Sequence, residues 1–308
     1  MDKLTLKSPA KINFFLEVLR KRDDEYHQIR SLMQAVGLCD ELSLEKRKKG
    51  VVISCDHLDC PTDESNLAFK AASLLLEKEK IKEGVSIHIK KRIPISAGLG
   101  GGSSNAAATL KGINRLYQLQ LSDKKLHALA SRIGSDVPFF LHSGQALAKG
   151  RGEEIVPQTL YKDYWLVLVC PHLKVSTKWA YQNVKISLTK RGEEVSLKGL
   201  ESRFMFFKAL PSFRNDLEEV VIKRYPIIQK IKEILENSGA LKSSMSGSGP
   251  TVYGVFERKP QAEEVARELL RGDWQIFLTQ PIPGNIQVLQ DESLSEQAGR
   301  TSHLKGRE

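Results

Sequence analysis

The chain has 308 residues, long enough for two domains or one large one, and carries 47 lysines and arginines against 37 aspartates and glutamates, for a net charge of +10. No apolar run approaches the ~20 residues of a membrane span, and the opening "MDKLTLKSPAKINFFLEVL" lacks a signal-peptide cleavage site, so the expectation is a cytoplasmic protein without a membrane partner. The basic balance first raises nucleic acid, but "KRKK" at 46–49 and "KKR" at 90–92 are scattered and few aromatics interleave with them; steering of a polyanionic small substrate explains the sign without a nucleic-acid partner.

In chain order, "KLTLKS" and, after Pro9, "KINFFLEVL" predict strands, as do "DELSLEK" and "VVISC". From Ser65, the positions of Leu67, Ala71, Leu74 and Leu75 predict a helix with Ser65 or Asn66 as its cap. "VSIHIKK" predicts a strand that feeds the glycine-rich "IPISAGLGGGSSNAA" at 93–107. Ser103, Ser104 and Asn105 have N-cap chemistry, and Ala106, Leu110, Ile113 and Tyr117 recur at helical spacing behind them. Ser122 is expected to cap a helix carrying Leu126, Leu129, Ala130 and Ile133, and Gly134, Pro138 and Gly144 make "GSDVPFFLHSG" a loop.

"KDYWLVLVCP" opens a second half as a buried strand, and residues 183–214 read as a polar, irregular connection. "LEEVVIKRYPIIQKIKEILENSG" is helical with a break at Pro226 and a stop at Gly239; "TVYGVF" is a strand, "PQAEEVARELLR" a helix and "DWQIFLT" a last strand. Strands and helices mixed without regular alternation indicate α+β. The expected division is 1–155 and 156–285, followed by a polar tail over 286–308 expected to be disordered. Cys39, Cys55, Cys60 and Cys170 form no C-x-x-C pair, which argues against a zinc site and a disulfide framework.

Gly98, Gly100, Gly101 and Gly102 strip side chains from one loop running into a helix N-terminus, where several N–H groups and the positive end of a dipole meet. Such a place binds anions, phosphate above all, although a flexible turn before an ordinary helix would look the same. No G-x-x-x-x-G-K-[ST] occurs, and the dinucleotide fingerprint fails because "RIP" separates strand from loop and Asp123 lies beyond the following helix. A second cluster, "SSMSGSGPTVYGVF" at 243–256, places Gly247 and Gly249 between serines just before a strand. Alone it is a tight turn; beside the first loop it could wrap the same polyphosphate.

Five blocks then carry a resemblance: "SPAKINFFL" at 8–16, "EYHQIRSLMQ" at 25–34, "PISAGLGGGSSNAA" at 94–107, "IGSDVPFF" at 133–140 and "MSGSGPT" at 245–251. Together they resemble the superfamily named for galactokinase, homoserine kinase, mevalonate kinase and phosphomevalonate kinase. Within it, "PAKIN" followed by Tyr-His is similar to the branch that acts on a cytidylated alcohol in non-mevalonate isoprenoid synthesis. The loop departs from the "GLGSSA" type of sister kinases, and Asn105 stands where many members carry Asp.

The resemblance implies an N-terminal domain like the second domain of ribosomal protein S5 and a ferredoxin-like C-terminal domain. It implies ATP and Mg²⁺, the phosphates lying over Pro94, Ile95, Ser96, Ala97, Gly98, Leu99, Gly100, Gly101, Gly102, Ser103 and Ser104, with Asn66, Leu67 and Lys91 near the adenosine. The implied reaction is γ-phosphoryl transfer to the 2-hydroxyl of 4-diphosphocytidyl-2-C-methyl-D-erythritol. Asp136 would serve as general base, and Lys11, costly to bury in an apolar strand unless it snorkels or finds a partner, would pair with it. Cytosine would stack on Tyr26 and hydrogen-bond to His27, with Tyr181 on its other face, or Trp179 if the register differs; Asn13, Gly247, Ser248 and Gly249 would complete the acceptor site. Magnesium would ride on the ATP phosphates, with no protein ligand assigned. A sister kinase acting on mevalonate, homoserine or a sugar would share the ATP loop without needing Tyr26 and His27, and a non-catalytic nucleotide- or RNA-binding protein would not need Lys11 with Asp136.

Overall fold

In the computed structural model, which describes residues 2–142, 144–186, 196–284 and 286–291, the first two strands are far longer than their sequence blocks suggest. β1 (Lys3–Lys21) and β2 (His27–Arg47) pair antiparallel from Lys3 opposite Glu45 to Lys21 opposite His27. Pro9 does not divide β1, because the register shifts between Pro9 and Ala10, and a proline is tolerated at such a bulge.

β3 (Val51–Cys55) and β4 (Gly84–Lys90) are parallel, joined through α1 (Leu67–Lys78); β5 (Gln145–Lys149) pairs with β2, and β6 (Glu154–Pro157) pairs with β5. The far edge of this seven-stranded sheet is β11 (Gln287–Asp291), which returns from the end of the chain to lie antiparallel to the start of β1. The tail expected over 286–308 is therefore ordered at its start: the open edge of β1 offers unpaired backbone groups, and residues 287–291 satisfy them. The rest of that tail, 292–308, lies outside the described residues.

α1, α2 (Gly101–Leu116), α3 (Asp123–Ile133) and α4 (Val137–Leu141) bury a common core against this sheet, with Leu75, Leu110 and Ile113 meeting Leu42, Leu44 and Ile87. Asn66 caps α1, its Oδ1 accepting from Ala68 N at 2.9 Å, and Ser122 caps α3. Two expectations fail here. Gly100, at φ +70°, is the residue that precedes α2, so Ser103, Ser104 and Asn105 lie inside the helix; the Ser8 hydroxyl sits 2.7 Å from Ser104 Oγ and 2.8 Å from Asn105 Oδ1. The "GSDVPFF" block is not all loop, because Pro138 falls in the first turn of α4, where its missing N–H costs nothing, and Val137, Phe139 and Phe140 are buried.

The second sheet has the order β10 (Trp274–Thr279), β7 (Trp165–Pro171), β9 (Val252–Phe256), β8 (Lys242–Met245), antiparallel throughout. With α8 (Ile227–Asn237) between β7 and β8, and α9 (Lys259–Leu269) between β9 and β10, it is the ferredoxin-like βαββαβ arrangement. α5 (Thr177–Asn183) and α7 (Glu218–Arg224) flank it. The connection read as irregular holds α6 (Arg203–Ala209) and a 3₁₀ turn at Leu210–Ser212, with Leu200, Phe206, Leu210 and Phe213 buried; its residues 187–195 lie outside the described residues. Phe206 stacks on Tyr164 at 5.1 Å and meets Phe14 edge-on at 5.5 Å, contacts invisible to local periodicity.

β1 takes part in all three apolar cores: Leu4 and Leu6 in the first, Ala10, Ile12, Phe14 and Phe15 in the second, Leu16 and Val18 in the third. Among the described residues no helix is long and apolar enough to cross a membrane.

Candidate active site

Lys11 sits midway along β1 and is 3% exposed, yet it does not reach for solvent. Its Nζ donates to Asn13 Oδ1 at 2.7 Å and to the Gly98 carbonyl at 3.2 Å, and lies 3.5 Å from the Asp136 carboxylate. A buried ammonium needs such partners to remain charged. Asn13 is fixed in turn, because its Nδ2 donates to Ser31 Oγ at 2.8 Å and that hydroxyl donates to Phe15 O at 2.7 Å. Asp136 stands at the start of α4 with its side chain 32% exposed, open to a cavity.

That cavity, about 1010 Å³, is walled by both glycine loops. They touch: Ser246 Oγ donates to Gly98 O at 3.0 Å and Thr251 N to Ala97 O at 3.3 Å. The backbone requires glycine where they meet. Gly98 has φ +76°, and a Cβ there would collide with the Ser246 carbonyl oxygen. Lys11 N donates to Leu99 O at 2.9 Å, so the first loop is tied to the strand that carries the lysine.

Most of the residues singled out from the sequence line this one cavity: Lys11, Asn13, Tyr26, His27, Asn66, Leu67, Lys91, Asp136 and Tyr181, with residues 94–98, 100–103 and 247–249. Leu99 and Ser104 do not; Leu99 packs into the second core and Ser104 is held by Ser8. Lys91 pairs with Asp40, whose Oδ1 also accepts from Arg92 N and Ile93 N at 2.8 Å each, so its charge is answered inside the protein.

At the other end, the Tyr181 ring stacks on His27, centroids 5.4 Å apart. Trp179 instead packs under Arg224 at 4.6 Å, so Tyr181 is the aromatic of α5 that faces the cavity. Burial holds the Tyr181 hydroxyl well above its usual range, with the Asp136 charge adding to the effect. Burial also lowers the His27 pKa, helped by Lys21, and so favours a neutral ring that can both donate and accept. Arg151, which sequence reasoning passed over, lies with its guanidinium 5.1 Å over the Tyr26 ring and lines the cavity. It is held by Ser131 O at 2.7 Å and by Glu153. The simple picture of a base between Tyr26 and Tyr181 therefore changes: each ring already has one face engaged, by Arg151 and by His27. The only sequence signal for Arg151 was a basic residue between two glycines, Gly150 and Gly152.

A carboxylate open to the cavity, beside a buried ammonium and next to two bare-backbone loops, is an arrangement that suits moving a phosphoryl group onto a hydroxyl. The sequence is 41% identical over 284 residues, 92% of this chain and all of its counterpart, to the 4-diphosphocytidyl-2-C-methyl-D-erythritol kinase of Acetivibrio thermocellus. The chain belongs to the 4-diphosphocytidyl-2-C-methyl-D-erythritol kinase family. The family member from Geobacter sulfurreducens is 42% identical over 275 residues, 89% of this chain and 97% of that one. The family models for the GHMP kinases N terminal domain and the GHMP kinases C terminal match residues 66–144 and 202–274. A crystal structure of 4-(cytidine 5'-diphospho)-2C-methyl-D-erythritol kinase shares the fold with a TM-score of 0.78 at 32% identity, covering 91% of this chain and all of that one. Homoserine kinase from Cytophaga hutchinsonii, at 20% identity and a TM-score of 0.72 over 94% of this chain and 98% of its own, shares the fold alone. The two-domain kinase architecture expected from the sequence is the one found. Like its family, the chain is an ATP-dependent kinase.

Proposed function

We infer that the chain transfers the γ-phosphoryl group of ATP to the 2-hydroxyl of 4-diphosphocytidyl-2-C-methyl-D-erythritol. The observation that carries this reading is the Lys11–Asp136 pair, 3.5 Å apart, at the junction of the two glycine loops. The Asp136 carboxylate takes the hydroxyl proton as the acceptor oxygen bonds to the γ-phosphorus and the bond to the ADP oxygen breaks. Lys11 offsets negative charge on the transferring group, while Asn13 holds the ammonium at 2.7 Å.

ATP lies along residues 94–103 in this reading, its adenosine toward Asn66 and Leu67. The phosphates have room: a Cβ added at Gly102 would meet only Leu67 Cδ1, at 3.7 Å. Magnesium would be carried by the ATP phosphates, as is usual for this ion, rather than by a dedicated protein cage. When bound it supplies neutralising charge on the phosphate oxygens. The acceptor's cytosine occupies the aromatic end, reading His27 by hydrogen bonds and stacking on the faces of Tyr26 and Tyr181 left free by Arg151 and His27. A compartment holding ATP and keeping four free cysteines reduced, the cytoplasm, suits this chemistry.

The test is a phosphate-transfer assay with ATP, Mg²⁺ and the cytidylated erythritol beside mevalonate and homoserine. Turnover of the first acceptor alone is expected; preference for mevalonate or homoserine would replace this reading with that of a sister kinase.

A further inference from the structure

The second glycine loop has a support that none of the site residues above includes. Asn215 is 6% exposed and uses its amide fully. Its Nδ2 donates to Met245 O at 2.8 Å and Gly247 O at 2.7 Å, and its Oδ1 accepts from Leu217 N at 3.0 Å. The segment around it is rooted on β1, the strand of Lys11 and Asn13. Asn215 bridges Leu16 in parallel register, Leu16 N donates to Arg214 O at 2.9 Å, Asp216 N donates to Leu16 O at 2.8 Å, and Val18 N donates to the Asp216 carboxylate at 2.8 Å.

What Asn215 grips is a peptide that stands beside Lys11 and Asn13. A Cβ on Gly247, at φ +58°, would stand 3.3 Å from each of Lys11 Nζ, Asn13 Oδ1 and Gly98 O. In a trans peptide the carbonyl and the following N–H point in opposite directions. Fixing Gly247 O against Asn215 therefore aims the Ser248 N–H the other way, toward the cavity that Ser248 lines. Of the other amides in the loop, Gly249 N is occupied by Ser246 O and Ser246 N by Thr251 O, both at 2.9 Å, while Gly247 N is taken by no acceptor among the described residues. Among the described residues no acceptor takes the Ser248 N–H.

We propose that Asn215 is a positioning residue: by holding the Gly247 carbonyl it presents the Ser248 N–H to an anionic oxygen of the bound acceptor and sets the gap between this loop and Lys11. The proposal rests on the reading of Gly247–Gly249 as part of the acceptor site. Because the Oδ1 contact is a local cap within the 215–217 turn, the donors alone carry the positioning role.

The experiment uses three variants of the full chain, with steady-state kinetics for both substrates and thermal melting. Asn215→Ser keeps a short acceptor for Leu217 N but cannot span two carbonyls; Asn215→Thr does the same while filling more of the volume, and serves if the serine variant does not fold. Either is expected to lower kcat/KM for the cytidylated acceptor by about 10²-fold, the cost of a small misplacement, with KM for ATP near wild type. Asp216→Ala cuts the adjacent anchor at Val18 N and is expected to lower Tm without that kinetic loss. Gly247→Ala disturbs the loop directly. If Asn215→Ser matches Asp216→Ala, losing Tm with wild-type kinetics, while Gly247→Ala is impaired, the loop acts but Asn215 does not position it, and the proposal falls. If Gly247→Ala also keeps wild-type kinetics for the acceptor, the acceptor-site reading of the loop falls with it.

Discussion

The Lys11 ammonium and the Asp136 carboxylate lie 3.5 Å apart, the lysine side chain 4% exposed and the aspartate 32%. The buried partner cannot leave, whereas the open one can meet a substrate. Asp136→Asn keeps the shape of the side chain and removes its capacity to take a proton, so kcat should fall by about 10²–10⁴-fold with little change in substrate binding. Lys11→Met should lower kcat as well, and the double variant should lose less than the product of the single losses, since each group acts through the other. Single-turnover rates decide it. If Asp136→Asn turns over near the wild-type rate, Asp136 only orients the hydroxyl in a largely dissociative transfer.

The glycines of the first loop separate into structural and ligand-facing positions. Gly98→Ala places a Cβ against the Ser246 carbonyl at an unfavourable positive φ, so it should destabilise the fold and part the two loops. Gly101 has no positive φ, and a Cβ there meets Lys91 Nζ at 2.9 Å, so a change there would test packing. Gly102→Ala has room in the protein and should melt like wild type while weakening ATP binding. Calorimetric titration of ATP checks this; unchanged affinity would place the phosphates elsewhere.

Tyr26 is 51% exposed and braced on one face by Arg151. Truncating it to alanine should cost about 1–3 kcal/mol of acceptor binding, by analogy with base stacking, and leave the affinity for ATP unchanged. Tyr26→Phe, which keeps the ring, should retain most of the affinity. Binding of the cytidylated acceptor to Tyr26→Ala as tight as wild type would remove the nucleobase from this end.

His142 closes α4, six residues beyond Asp136, and its Nε2 lies 2.9 Å from His127 Nδ1. Burial lowers its pKa from 6.5, and the facing His127 and the Lys111 charge lower it further, against an opposing pull from Asp123. A histidine whose folded-state pKa is depressed favours the neutral form in the fold. Its contribution to stability is therefore complete above pH 6.5 and is lost as pH falls through that value toward the lower folded one. His27, also lowered, has the same sign. Melting temperature should fall as pH drops below about 6.5, and His142→Gln should flatten that fall. An unaltered slope in the variant would assign the pH dependence to other groups.

The loops of this site were legible because a glycine where the backbone takes a positive φ or approaches another segment closely is a local requirement, written in neighbouring letters. The cap of α1, narrowed to Ser65 or Asn66 and found at Asn66, and the break at Pro226 could be read for the same reason. What escaped is non-local. Nothing near Gln287 announces that its partner is Lys7, and the aromatic run at Phe204–Phe207 shows no helical stripe because only Phe206 is buried, against Phe14 and Tyr164. Arg151 finds Tyr26 only once β5 has paired with β2, and Asn215 finds Gly247 only once the chain between β7 and β8 has folded back on the second glycine loop. Pro9 misled for the opposite reason, since its bulge exists only in the presence of β2.

A strand that contributes side chains to three cores has a kinetic meaning. The amide of Lys11 is locked to Leu99 O in the middle of β1, so exposing it to solvent requires separating the cores on either side. Its hydrogen exchange should then report whole-molecule unfolding rather than a local opening, and the two halves recognised by separate family models should melt as one cooperative unit. Local opening without global unfolding is then expected only in the connecting loops, and exchange of their amides measured beside that of Lys11 checks it.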